Sequence, residues 1–203
     1  MAKKVLSIDI DVFFKDCHKY QKYLNTDISA EKSWQLIEVH TETKDYEPDY
    51  KALAWLSDYL AKTLKKNTSV VQIERHNEII AVLEEYECDN AFMTNIDDHH
   101  DITYGNEDAE LNIENWVKFA RKQELIRSYN WIHSDMSQIC VYSPFIYAHN
   151  SWKDVSIDDV TQEYDLVVIC KSPYFTPPSM WGLVDIIEQK IIKIKEETQW
   201  EER

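Results

Sequence analysis

Short apolar runs alternate along this chain with stretches of helical spacing. Val5 to Ile10 is apolar and β-rich, which predicts a buried strand running into the acidic pair Asp9 and Asp11. Residues 15–34 are polar and aromatic without a period, and predict irregular chain with some helix. Gln35 to His40 reads as a second strand, and Thr41 to Pro48 as an acidic loop. From Tyr50 to Leu64 the apolar positions Leu53, Leu56, Leu60 and Leu64 recur at helical intervals beside Trp55 and Tyr59. Ser69 to Ile73 predicts a strand, followed by the polar run Glu74 to Glu78 and a helix carrying Ile79, Ile80, Val82 and Leu83.

Ala91 to Ile96 predicts a strand that runs straight into Asp97-Asp98-His99-His100-Asp101. A loop then leads to a helix from about Asn112 to Ser128, and Ile139 to Tyr142 and Leu166 to Cys170 read as further strands. The last long segment, Met180 to about Gln199, places Leu183, Ile186, Ile187, Ile191 and Ile194 on one helical face. Strands alternating with helices predict an α/β fold, a three-layer domain with a mainly parallel sheet and helices on both faces. At 203 residues, with no repeat or low-complexity linker, the chain reads as a single domain spanning 1–203.

Composition narrows the function classes. Hydrophobic residues make up 44% and aromatics 12%, which argues against disorder. No apolar run approaches the roughly 18–20 residues of a membrane helix. The basic start Met1-Ala2-Lys3-Lys4 lacks the long apolar region of a signal peptide, so a cytoplasmic protein without membrane contact is expected. Cys17, Cys88, Cys140 and Cys170 are widely spaced, which predicts reduced thiols rather than a disulfide framework or a cysteine zinc site. With 22 basic and 37 acidic residues the formal charge is −15, which disfavours nucleic acid and is compatible with metal ions or a basic substrate. Only two glycines, Gly105 and Gly182, occur in the whole chain, so neither a Walker A loop nor a dinucleotide fingerprint can be written with it.

The polar clusters fall where predicted strands end, the place where open parallel sheets bind ligands. In extended chain, residues two apart point the same way, so Asp97, His99 and Asp101 can converge on one point. Two carboxylates and an imidazole suit Mn²⁺, Fe²⁺ or Zn²⁺. So charged a pentapeptide after an apolar strand would be costly to bury without a cation. Ser7-x-Asp9-x-Asp11 aims a second carboxylate pair, which needs either a proton or a cation between its members. His76 opens a helix after the strand at Ser69 to Ile73 and is the third piece.

Together these pieces resemble the ureohydrolase superfamily, the arginases and agmatinases. That family supplies a histidine at one strand end, an Asp-x-His-x-Asp motif at the next, and a Ser-x-Asp-x-Asp strand. Here these are matched by His76, by Asp97, His99 and Asp101, and by Asp9 and Asp11. In ordinary arginases the Ser-x-Asp-x-Asp strand comes last, whereas here it is N-terminal. The rearranged order is similar to an arginase-like group that begins with an Asp-x-Asp-Phe-Phe strand and includes peptide arginases. Its features are matched by Asp9-Ile10-Asp11-Val12-Phe13-Phe14, His76-Asn77-Glu78, Asp97 to Asp101, Asn115-Trp116 and Ser172-Pro173-Tyr174-Phe175-Thr176-Pro177. The matched points run from residue 5 to about residue 187.

The resemblance implies an arginase-like fold with rearranged strand order and two Mn²⁺ per chain, held by Asp9, Asp11, His76, Asp97, His99 and Asp101. It also implies hydrolysis of peptidyl arginine to ornithine and urea through a metal-bridging hydroxide, the substrate being an arginine-containing precursor peptide. Four carboxylates balance two Mn²⁺, and Asp101 would orient the hydroxide while ligating. For the acid that grips the guanidinium, Glu78 and Glu114 are the candidates. His40, His133 and His149 are candidates for proton transfer, whereas His100, adjacent to the motif, would point away in extended chain. Tyr174 and Phe175 form an aromatic loop that either lines the pocket or packs before the last helix.

Three other readings stand beside this one. Asp9-Ile10-Asp11-Val12 also fits a haloacid-dehalogenase-type phosphatase, with Asp9 as nucleophile, Asp11 as general acid, and Asp97 and Asp98 on Mg²⁺. That reading leaves His76, His99 and Asp101 without a role. A zinc amidohydrolase of deacetylase type would use one metal and leave Asp9 and Asp11 in excess. A metal-bound protein without catalysis is the third.

Overall fold

The computed structural model describes residues 2–15, 17–43, 46–102, 110–135 and 148–201. Among the described residues six strands and six helices follow one another as β1 (Lys4–Asp9), α1 (Cys17–Tyr20), α2 (Ala30–Thr41), α3 (Tyr50–Thr63), β2 (Leu64–Ile73), α4 (Ile79–Glu85), β3 (Ala91–Ile96), α5 (Trp116–Lys122), β4 (Ile126–His133), β5 (Ala148–Ser151), β6 (Tyr164–Cys170) and α6 (Leu183–Glu201). The strands form one sheet in the order β2-β6-β1-β3-β4-β5, and every strand pairing is parallel.

Side chains alternate across the sheet, so each central strand feeds two cores. Leu6, Ile8, Val167 and Ile169 pack with Trp34 and Ile37 of α2, with α3 and with α6. Val5, Met93, Leu166 and Val168 pack with α4 and α5 on the opposite face. Helices thus cover both faces, as the strand–helix alternation predicts. Among the described residues no helix is long and apolar enough to cross a membrane.

The strand order sets the position of the site. From β1 the chain crosses to β2 at one edge, then returns to lay β3 on the other flank of β1. A reversal of this kind opens a crevice outside the carboxyl ends of the strands. The register brings those ends together: Asp9 lies opposite Cys170, and Ile8 opposite both Ile96 and Ile169.

Several expectations are corrected. Gln35 to His40 is helical, because Ser29 caps α2 by accepting from Lys32 N and Ala30, Ser33, Trp34 and Ile37 form the buried stripe. The apparent alternation there comes from Leu36 and Val39, which face solvent at 56% and 80% exposure. The helix expected from Asn112 to Ser128 is only α5. Glu124 turns left-handed at φ 60, Leu125 N–H donates to Ala120 O, and the chain enters β4 instead. The short edge strand β5 carries no sequence signal and was not expected. Ile186 leaves the apolar face of α6 and is 62% exposed, with Val184 buried in its place. The strand expected at Ile139 to Tyr142 lies outside the described residues.

Candidate metal centre

At the end of β1 the chain turns rather than running on. Asp9 caps the 3-10 turn Ile10–Phe13, its Oδ1 accepting from Asp11 N at 3.0 Å. Asp97 acts alike after β3, its Oδ1 accepting from His99 N at 2.7 Å. Asp101 follows with a left-handed backbone, φ 52, which is uncommon for a residue with a side chain. The extended geometry assumed from the sequence is therefore absent, yet the carboxylates still converge. Aspartate folds back on the backbone two residues on, and here that turn directs the next side chain inward. His76 enters from the 3-10 turn His76–Glu78 after β2.

All six expected residues come together, five of them in two overlapping sets and Asp9 beside His76 and Cys170. His76 Nδ1 lies 3.2 Å from Asp9 Oδ2, 3.0 Å from Asp97 Oδ2 and 2.9 Å from Asp101 Oδ2. His99 Nδ1 lies 2.8 Å from Asp11 Oδ2 and 3.7 Å from Asp97 Oδ1. Asp97 gives one oxygen to each imidazole. The ligand atoms of His76, Asp97 and Asp101, and those of Asp11, Asp97 and His99, lie within 4.8 Å of one another. Asp9, Asp11, His76, Asp97 and Asp101 are buried, while the His99 side chain keeps 30% of its surface open.

Electrostatics tests whether this donor set suits a divalent cation. Burial, then the charges of Asp9 and Asp97, push the Asp11 carboxyl well up. Burial and the charge of Asp97 push Asp101 up to about 7. Burial alone would lower both imidazoles, but Asp101 on His76 and Asp11 on His99 outweigh it and raise them. Burial would likewise raise Asp97, yet hydrogen bonds from both histidines hold it low. Without a cation the cluster must gather protons to exist in a dry interior. Oxygen and imidazole donors with surplus negative charge fit a hard-to-borderline divalent ion such as Mn²⁺.

A ring of neutral donors holds these side chains. Ser7 Oγ lies 2.7 Å from His76 Nε2. Asn95 Nδ2 donates to Asp97 Oδ2 at 2.9 Å and to Tyr129 OH at 2.9 Å, and Tyr129 OH donates to His100 O at 3.0 Å. Trp116 Nε1 donates to Asp101 Oδ2, and Trp131 Nε1 to Asp97 O at 2.9 Å. Sequence reasoning assigned none of these roles. A period-two signal was present for Ser7 and Asn95, which lie two residues before Asp9 and Asp97 and pair in register.

Other candidates stand elsewhere. Glu78 is exposed, and its Oε2 accepts from Glu74 N at 3.1 Å, so it closes its own turn instead of joining the cluster. Glu114 is also exposed. Asp98 is buried, but its Oδ1 accepts from Ser134 Oγ while its N–H serves Asp11 Oδ1 at 3.2 Å. His100 Nδ1 accepts from Ile102 N at 3.0 Å. His40 packs on Tyr23, with ring centres 4.7 Å apart. His133 is buried, its Nδ1 at 2.7 Å from Ser134 O and its ring stacked at 5.9 Å on His149. Tyr174 OH donates to Ile28 O at 3.0 Å, whereas the Phe175 ring lies 4.6 Å from His99. Cys170 sits buried beside Asp9 and His76, a neighbour that the sequence did not suggest.

No family model, no curated protein and no solved structure matches this chain.

Proposed function

We propose that the chain is an arginase-like hydrolase that uses two Mn²⁺ to convert peptidyl arginine to peptidyl ornithine with release of urea. The observation that carries this reading is that five candidate ligands, four of them buried, fall into two sets that share Asp97, each with one histidine, while Asp9 lies beside His76. His76, Asp97 and Asp101 would hold one ion, with Asp9 joining through its Oδ2, 3.2 Å from His76 Nδ1; His99, Asp11 and Asp97 would hold the other. Bound ions of this kind supply a nucleophilic oxygen from water at neutral pH and hold a polarised substrate. In the reaction water adds to the guanidinium carbon, the bond from that carbon to the side-chain nitrogen breaks, and the departing amine takes up a proton.

The protein's own groups supply attraction and placement. A net charge of −15 draws a cationic guanidinium towards the crevice. His99 is the open member of the cluster, and Phe175 stands beside it as a flat apolar wall on which a planar guanidinium can stack. The phosphatase reading has less support, because Asp9 is engaged as a cap and Asp98 points to Ser134.

The test combines metal analysis of protein expressed with Mn²⁺ and urea release from an arginine peptide and from free arginine. About two Mn²⁺ per chain with urea from the peptide is the expected result. Bound Mn²⁺ without turnover of either substrate would leave a metal-binding protein and overturn the enzyme. Only trace metal, unchanged on replacing Asp97 and His99 by alanine, would overturn the metal centre itself.

A further inference from the structure

Asn115-Trp116 is a sequence feature that the ligand set does not use. Trp116 is the first residue of α5 and is fully buried. Its Nε1 donates to Asp101 Oδ2, the same oxygen that lies 2.9 Å from His76 Nδ1. Its ring centre is 4.9 Å from that of His76. One indole therefore touches two of the side chains around the deeper pocket.

Asp101 is the ligand most in need of such a hold. Asp9 and Asp97 sit at strand ends, where the sheet directs their side chains. Asp101 lies beyond the strand on a left-handed residue, φ 52. The position of Trp116 is itself secured from the other side. Asn115 Oδ1 accepts from Asn112 N at 2.8 Å and its Nδ2 donates to Glu110 O at 2.9 Å, which ties down the segment entering α5. The chemistry of the donor matters too. A lysine or arginine would orient Asp101 but cancel the charge that attracts a cation. An indole N–H orients the carboxylate and leaves its charge intact.

We propose that Trp116 is a positioning residue for metal binding, fixing Asp101 Oδ2 towards His76 so that the deeper pocket closes on its ion. This rests on the two-metal reading above. A tryptophan that merely filled the core would be replaceable by phenylalanine without effect on the metal. A positioning tryptophan would not, since outer hydrogen bonds of this kind are worth about 10–100-fold in metal affinity.

The test is Mn²⁺ titration of wild type, Trp116→Phe and the control Trp152→Phe, whose ring packs near Trp55 in the other core. Free Mn²⁺ is followed by its paramagnetic resonance signal and the bound ion by quenching of tryptophan emission. Wild type and Trp152→Phe should bind two ions alike. Trp116→Phe should bind one of them about 10–100-fold more weakly and lose only the Trp116 share of the Mn²⁺-sensitive emission, Trp131 beside Asp97 keeping the rest. Should Trp116→Phe fail to fold, indole N–H resonances of the full chain decide instead. One of the seven should move in Asp101→Asn, and Mn²⁺ should broaden that same resonance in the wild type. Wild-type affinity in a folded Trp116→Phe, or no indole resonance displaced by Asp101→Asn, would overturn the role of Trp116 while leaving the metal centre standing. A wild type that binds no Mn²⁺ would remove both.

Discussion

The two halves of the cluster are built differently. His76 faces three carboxylates, is buried, and is backed by Ser7 on one nitrogen and by the Trp116 ring. His99 faces Asp11 and one oxygen of Asp97, stays partly open, and has Phe175 against its ring. On the proposed reading the first half would retain an ion and the second would meet the substrate. Asp97 is the hinge of the comparison, since it belongs to both.

Breaking that hinge should have the largest effect. Asp97→Ala is expected to lower bound Mn²⁺ from about two per chain to near none, read by elemental analysis, with urea release lost. Retention of one tightly held ion would mean that the two halves are independent. Next comes the asymmetry itself. His76→Ala removes a buried side chain that three carboxylates face, so the metal-free fold should lose about 2–4 kcal/mol in urea unfolding. His99→Ala should lose one ion with a change within about 1 kcal/mol, because its side chain is partly solvated. Equal destabilisation by the two would erase the distinction.

Proton and metal should compete more at the deep half. Burial and Asp97 push the Asp101 carboxyl up to about 7, above its unfolded value near ~3.9. A raised folded pKa means that the folded state holds the extra proton between those values. Metal-free stability is therefore greatest at the acid end of this window and falls as pH rises from about 4 through about 7. The raised imidazoles of His76 and His99 act in the same direction above about 6.5. Saturating Mn²⁺ should reverse the trend. At about 100-fold above its dissociation constant an ion adds about 2.7 kcal/mol, or about 5–10 °C in Tm for a chain of this size. Thermal unfolding at pH 5, 6, 7 and 8 with and without Mn²⁺ checks this; parallel curves would show that ion and protons do not share the site.

How far the sequence carried these conclusions depended on which forces act locally. Ala91 to Ile96 was readable to the residue, because a β-rich run ends abruptly in charge and the strand does too. That the six candidate residues come together was readable, because carboxylates and histidines fall at the ends of neighbouring predicted strands. Their geometry was not: the turns at Asp9 and Asp97 are side chain-to-backbone hydrogen bonds, which leave no periodicity behind. β4 was hidden for a related reason. Ile126 to His133 becomes a strand by pairing with β3, a contact over long sequence distance, while the residues before it have helical spacing. Glu78 has the charge and motif position of a guanidinium-binding acid, and its bond from the Glu74 N–H is a local contact that leaves no trace in the sequence pattern.

The smallest expected effect falls at the mouth of the open half. Phe175 touches His99 without offering a ligand atom, so Phe175→Leu should leave the Mn²⁺ content unchanged. What it removes is a flat face, worth about 0.5–2 kcal/mol to a stacked guanidinium. That interaction is made equally before and during the reaction, so its loss should raise KM for an arginine peptide by about 2–30-fold and leave kcat within about twofold. Steady-state urea release over a range of peptide concentrations separates the two constants. If instead kcat and metal content fall together, Phe175 acts by packing His99 into place, and the open half is held as firmly as the deep one.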